Sequence, residues 1–182
     1  MTPPLRTAHT YELTPAELAE IRAQLEDAFE GDLGDEDWDH GLGGVQAFVR
    51  DPDGALVAHG SVIQRRVLVG GRSYRIGYVE AVAVRADRRR QGLGGRVMAA
   101  LEQVIDGAYA AGALAASDDG ARLYRARGRQ PWAARVETLG PAGVVRLPEE
   151  EGCTYLRPAA GRPLPVAPDG ALVFDWRDGD VL

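Results

Sequence analysis

Residues 84–97 read VRADRRRQGLGGRV, with five arginines and three glycines in fourteen positions. An apolar run ends at Val84, and apolar residues at helical spacing resume from Leu93. A strand that enters a glycine-rich turn and then a helix can bind an anion. The first N–H groups of the helix have no internal partners and carry the positive end of its dipole. Gly92, Gly94 and Gly95 let the main chain come close to a ligand and take the positive φ angles of a phosphate-cradling nest. Arg88, Arg89 and Arg90 add charge-assisted donors beside it. On spacing alone the stretch is either a pyrophosphate clamp or a basic surface turn that contains glycine. It matches neither the P-loop, whose lysine and hydroxyl are missing, nor the dinucleotide pattern G-x-G-x-x-G.

A second chemical candidate is Glu80, which interrupts the apolar run YVEAVAV. Facing a cleft, its carboxylate can act as a general base; the other reading is a strand glutamate turned to solvent or paired with an arginine. Cys153 is the single cysteine and reads as a small apolar residue. His9, His40 and His59 form no ligand pattern with it, so no metal is expected. Trp38 reads as shaping or underlying an acidic loop, and Trp132 and Trp176 read as core.

The elements around these residues are legible in outline. Thr14-Pro15-Ala16-Glu17 is a capping box with proline at the first helical position, and a helix follows to about Gly31. The stretch 30–44, EGDLGDEDWDHGLGG, is too rich in Gly and Asp to continue that helix and reads as loop. Strands are expected at 45–50, 55–69 and 73–84, joined by a type I turn at Asp51-Pro52-Asp53-Gly54 and a second turn at Gly70-Gly71. Leu93, Val97, Leu101, Val104, Ile105 and Ala108 trace one face of a helix. A short buried strand at 112–117 and a helix from Asp119 to Arg127, stopped by Gly128, come next. PWAARVETL, CTYLRP and ALVFDW supply further strands. The order predicts a mixed α/β sheet in one domain over 1–182.

Bulk composition narrows the function. The chain has 182 residues, is 45% hydrophobic and carries a net charge of −6, which argues against a general nucleic-acid binder. No apolar run reaches the ~18 residues of a membrane span, and the N-terminus lacks an apolar signal region. A cytoplasmic protein is expected. All 21 basic residues are arginine, which fits the codon bias of a high-GC genome.

Arg89-Arg90-Gln91-Gly92-Leu93-Gly94 resembles the R/Q-x-x-G-x-G/A signature of the GCN5-related N-acetyltransferases (GNAT). The preceding strand YVEAVAV and the later ARLYRARG (121–128) fall where that family keeps its cofactor-pairing strand and its Leu-Tyr-x-x-x-Gly segment. The resemblance implies a GNAT fold: a mixed, mostly antiparallel central sheet flanked by helices, with an antiparallel meander leading into a central helix. It implies acetyl-CoA as cofactor, its pyrophosphate on Arg89, Arg90, Gln91, Gly92, Leu93, Gly94 and Gly95. Its pantetheine would pair with Val82, Ala83 and Val84, and Ser117 would assist. Glu80 becomes the base, the Val82 N–H an oxyanion donor, and Tyr124 the candidate acid.

EGDLGDEDWDHGLGG, AHGSVIQRR, GYVEAVAVRAD, RLYRARG and the terminal DWRDGDVL are further similar to the aminoglycoside 2′-N-acetyltransferases within that family. That likeness implies a polycationic substrate held by Asp32, Asp37, Glu80, Ala81, Glu150, Asp180 and the Leu182 carboxylate, with a homodimer as a possibility. This chain departs in ending on Leu182 where those relatives carry an aromatic residue, and in having Ala115 and Ala116 where they carry hydroxyls. Charge patterning agrees: eight of the fourteen residues from Glu26 to Asp39 are acidic, and acids recur at 149–151 and at Asp175, Asp178 and Asp180. Taken singly, each cluster reads more readily as a solvated face. Acetylation of another amine, or acetyl-CoA binding without turnover, fits the same residues.

Overall fold

Thr14 accepts the Glu17 amide at 3.2 Å and the Glu17 carboxylate takes the Thr14 amide at 2.9 Å, so the capping box forms and α1 runs Pro15–Ala28. Ile21 and Leu25 on its inner face are buried with Leu13, Phe48, Leu56 and Ala83. Beyond it the acidic stretch is not all loop. Asp35–His40 forms a short helix, α2, because the Asp37 carboxylate accepts the Gly34 amide at 2.8 Å and three acids in its first turn face the positive end of its dipole. The computed structural model describes residues 4–164 and 170–182.

The meander follows as β2 (Val45–Arg50), β3 (Leu56–Val69) and β4 (Arg72–Val84). At its first turn the Gly54 amide reaches the Asp51 carbonyl at 3.0 Å, and the Asp51 carboxylate takes the amides of Asp53 and Ala55. At its second, Gly70 and Gly71 both have positive φ, 56° and 75°, as a two-residue hairpin loop requires. The sequence reading did not foresee β1 (Leu5–His9), which pairs antiparallel with β2 from Leu5–Val49 to His9–Val45.

The chain falls into two compact units. The first comprises Met1–Ile63 with Val79–Val104, and so holds β1, β2, α1, α2, the start of β3, the end of β4 and most of α3 (Leu93–Ala108). The second comprises Gln64–Tyr78 with Ile105–Leu182. It holds the β3–β4 hairpin, β5 (Ala111–Ala115), α4 (Asp118–Ala126), β6 (Gln130–Pro131), β7 (Val136–Gly140), β8 (Gly143–Arg146), β9 (Thr154–Pro158) and β10 (Leu172–Phe174). Its strands lie in the order β6-β9-β5-β4-β3-β10-β7-β8. The β4–β5 and β7–β10 pairs are parallel, and the other registered pairs in this unit are antiparallel. The fold is therefore mixed α/β with a mostly antiparallel sheet.

Two tryptophans differ from the sequence reading. Trp176 is 43% exposed, because β10 ends at Phe174 and the chain leaves the sheet there. Trp132 is only half-buried, its indole N–H donating to the Gly170 carbonyl at 3.3 Å. Trp38 packs against the Ile21–Leu25 cluster with the Arg22 guanidinium 6.0 Å from its ring, so it underlies the acidic segment. Among the described residues no helix is long and apolar enough to cross a membrane.

In the first unit α3 rests on the meander at Gly60. A Cβ there would lie 2.8 Å from Val97 Cγ1 and 3.2 Å from both Leu101 Cδ1 and Val82 Cγ2. Replacing Gly60 by Ala should cost about 1–3 kcal/mol through overpacking, read as a lowered midpoint in urea at unchanged slope.

Candidate active site

The arginine elbow is built at the junction of β4 and α3. A 3₁₀ turn at Ala86–Arg88 follows β4, and the Arg85 amide is held by the Val57 carbonyl at 3.0 Å. Arg90 and Gly92 then take positive φ, 61° and 78°, on either side of Gln91, an alternation that turns successive N–H groups inward as a nest. α3 opens directly after it, with the Arg96 amide already bonded to the Gly92 carbonyl. Among the described residues, none other than the chain neighbours of Gly92 comes within 4 Å of where its Cβ would stand, so the space beside Gly92 is open.

The arginines of the elbow divide into two kinds. Arg85 binds both oxygens of Asp87 at 2.7 and 3.1 Å, and Arg88 donates to the buried Asp51 carboxylate at 3.0 Å. These two brace the turn. Arg89 and Arg90 are exposed, and Gln91 is tied at 3.4 Å to the Asp87 carbonyl. The half-buried Gly94 and Gly95 and the buried Leu93 form the first turn of α3.

Upstream on the same strand, Glu80 is half-buried and Ala81 has a φ of 49°. A residue with a Cβ rarely turns left-handed, and here it puts a kink between Glu80 and Val82. The Ala81 carbonyl faces His59 Nδ1 at 3.1 Å, and His59 Nε2 lies 2.9 Å from Gln46 Oε1. Gln46 in turn donates to the Gly41 carbonyl at 2.8 Å and to Thr10 Oγ1 at 3.0 Å. Burial pulls the His59 imidazole down to about 4, only partly offset by the bond to Ala81.

In the second unit, Ser117 caps α4 by accepting the Gly120 amide at 3.3 Å. Tyr124 is buried on α4, its ring centroid 6.5 Å from that of Tyr155. Gly120 makes room for the Tyr124 ring, since a Cβ there would lie 2.9 Å from Tyr124 Cε2. Burial pushes the Tyr124 phenol above its ordinary value, with Arg129 pulling weakly the other way. That widens the gap to a thiol of ordinary pKa ~8.5, so the phenol suits an oriented hydrogen bond better than full proton transfer.

The same unit brings two expected substrate carboxylates within electrostatic reach. Burial raises the Glu150 carboxyl, the Cys153 S–H donor at 3.2 Å lowers it, and Asp180 raises it again. The Cys153 thiol is itself pushed up to about 12, mainly by burial. Leu182 is half-buried at the end of a tail gripped by Arg65 and Arg177. Arg65, itself buried, donates to the Asp175 carboxylate, the Asp175 carbonyl and the Val181 carbonyl. In the first unit Asp32 is exposed, while Asp37 spends one oxygen on the Gly34 amide that starts α2. Among the described residues no group of three or more His, Cys, Asp or Glu side chains could hold a metal ion.

An acetyltransferase (GNAT) domain matches residues 9–131. The chain belongs to the GNAT family. It is 46% identical over 179 residues, 97% of this chain and 90% of the relative, to an aminoglycoside 2′-N-acetyltransferase of Mycolicibacterium fortuitum. Two solved structures share the fold. One is the GNAT family N-acetyltransferase YhbS of Escherichia coli in complex with CoA, at TM-score 0.68 and 19% identity over 97% of this chain and 90% of that one. The other is a GNAT family acetyltransferase of Brucella melitensis in complex with acetyl-CoA, at TM-score 0.60 and 17% identity over 96% and 97%.

Acetyl-CoA is the acetyl donor of the GNAT family, and the elbow of this member fits its pyrophosphate. The nest, the open space beside Gly92 and the exposed Arg89 and Arg90 are the chemistry a doubly charged anion needs. Sequence reasoning missed Asp51, which braces the elbow, and Arg65, which anchors the tail. The turn signal at Asp51 was visible, but its pairing with Arg88, 37 residues away, was not. It also missed His59 and Gln46, whose partners come from four separate segments.

His59 sets an acid dependence. Its folded value lies below the ordinary 6.5, so between about pH 6.5 and 4 the unfolded chain takes up a proton that the folded chain does not. Stability should fall on acidification through that window by up to about 1.4 kcal/mol per pH unit from this residue. Denaturant titrations of the wild type and His59→Asn from pH 7 to 4.5 should show the wild type losing stability more steeply.

Proposed function

We propose that this GNAT member acetylates the 2′-amino group of aminoglycosides, transferring acetyl directly from acetyl-CoA in a ternary complex. The observation that carries the reading is the 46% identity over 97% of the chain to an enzyme named for that reaction. The acid-rich composition suits a substrate bearing several ammonium groups, and the electrostatic coupling of Glu150 to Asp180 adds to it. Exposed ion pairs are each worth about 0–1 kcal/mol, so affinity would have to be collective. In this reading Asp32, Asp37, Glu80, Ala81, Glu150, Asp180 and the Leu182 carboxylate contact the drug. With Leu182 at the terminus, the carboxylate is kept and aromatic packing is lost.

Amide formation needs a neutral amine, a polarised carbonyl and a hydrogen bond for the departing sulfur. Acetyl-CoA, when bound, supplies the thioester that carries the acetyl group. Glu80 takes the ammonium proton, directly or through a water. The Val82 N–H donates to the oxygen that gains charge. Val82, Ala83 and Val84 offer main-chain pairing to the pantetheine amides. Arg89, Arg90, Gln91, Gly92, Leu93, Gly94 and Gly95 hold the pyrophosphate, and the exposed Ser117 is a further polar contact. Tyr124 hydrogen-bonds the departing sulfur, which takes up the proton that the attacking nitrogen sheds as the amide forms. The reading extends to one catalytic domain over 1–182, acting in the cytoplasm, with no nucleic-acid partner and with the assembly open to a homodimer.

Following CoA thiol release with a panel of aminoglycosides tests the assignment. Drugs bearing a 2′-amine should turn over and those with a 2′-hydroxyl should not. Equal rates on both would redirect the activity to another amine, and cofactor binding without turnover would make the protein a binding module. Glu80→Gln should lower kcat by about tenfold or more and remove the acidic limb of the pH–rate profile, with acetyl-CoA affinity within about twofold of wild type. An unmoved profile would take the base role from Glu80.

A further inference from the structure

The bonds around His59 have one proton too few. Gln46 is fixed in orientation, because its amide nitrogen faces the Gly41 carbonyl at 2.8 Å and a carbonyl can only accept. Gln46 Oε1 can therefore only accept at its contact with His59 Nε2, and the Ala81 carbonyl can only accept at its contact with Nδ1. A neutral imidazole has a single N–H to offer. Thr10 leaves Gln46 no freedom to adjust: its hydroxyl donates to the Gly44 carbonyl at 3.1 Å, receives the Gly43 amide at 3.1 Å, and takes the second Gln46 hydrogen at 3.0 Å. His59 is 1% exposed and Gln46 2% exposed, so bulk water does not reach the ring to supply the missing donor.

The peptide at stake is the one that joins Ala81 to Val82. The Ala81–Val82 peptide is trans, so the Val82 N–H points opposite to the Ala81 carbonyl. A donor that draws this carbonyl toward the interior turns the Val82 N–H away from it, and by polarising the peptide it strengthens that N–H as a donor. It also holds Ala81 at its φ of 49°, against the preference of a residue with a Cβ.

We propose that His59 is a positioning residue for acetyl transfer: its single proton sits on Nδ1, grips the Ala81 carbonyl, and thereby orients and polarises the Val82 N–H beside Glu80. Gln46, held by Gly41 and Thr10, lies behind the ring, and its contact with Nε2 is the one left without a proton. This rests on the roles proposed above for Val82 and Glu80. His59 itself touches neither substrate nor cofactor.

The two ring nitrogens can be separated by substitution. Asparagine places an amide N–H near the position of Nδ1, and glutamine places one near Nε2. Steady-state kinetics of His59→Asn, His59→Gln and His59→Ala, with an aminoglycoside that the wild type turns over, should divide them. The Gln and Ala variants should lose about tenfold in kcat, with KM for acetyl-CoA within about twofold, while the Asn variant recovers most of the loss. A merely structural residue would not distinguish Asn from Gln. The ring ¹⁵N shifts of His59 in the wild-type enzyme, which need no variant to fold, should report the Nδ1–H tautomer. Equal kcat in all three variants, better rescue by Gln than by Asn, or an Nε2–H tautomer would each overturn the proposal. Failure of the base assignment shows separately: an unmoved pH–rate profile in Glu80→Gln, alongside the expected His59 series, discards the Glu80 role and keeps this one.

Discussion

Ala81 carries a Cβ and yet stands in the left-handed region, a conformation that costs on the order of 1–3 kcal/mol. Its carbonyl lies 3.1 Å from His59 Nδ1, at the head of a run of contacts that continues through Gln46 to Thr10 and Gly41. The direction of the Val82 N–H follows from that kink.

Charge is sorted with equal economy. Asp87 and the buried Asp51 occupy Arg85 and Arg88, so two of the elbow's arginines stiffen the turn while Arg89 and Arg90 stay exposed. Asp51 also takes the amides of Asp53 and Ala55, so the β2–β3 turn and the elbow share one carboxylate. In the second unit Arg65 does comparable work for the tail. Burial lowers its guanidinium from the ordinary value, as does the neighbouring charge of Arg177, and Asp175 with the Val181 carbonyl offsets that cost. The guanidinium lies 5.0 Å from the Tyr78 ring centroid and 5.3 Å from that of Phe174, so the tail is attached to an aromatic core through a cation.

What the sequence by itself determined is local. The Thr14–Glu17 box, the Asp51–Gly54 and Gly70–Gly71 turns and the helix of α3 each depend on residues a few positions apart and formed, whereas of the elbow glycines only Gly92 has a positive φ, Gly94 and Gly95 lying in the first turn of α3. The acidic stretch at 35–40 was misread as loop, because propensity against Asp was weighed and its favourable place in a first turn was not. Only the tertiary structure decided which arginines brace and which remain exposed, why a phenol on α4 is pushed upward, and how His59 meets Ala81 across 22 residues. Hydrogen bonds and burial join side chains by distance in space, and periodicity along a chain reports which face a residue occupies but not which partner waits there.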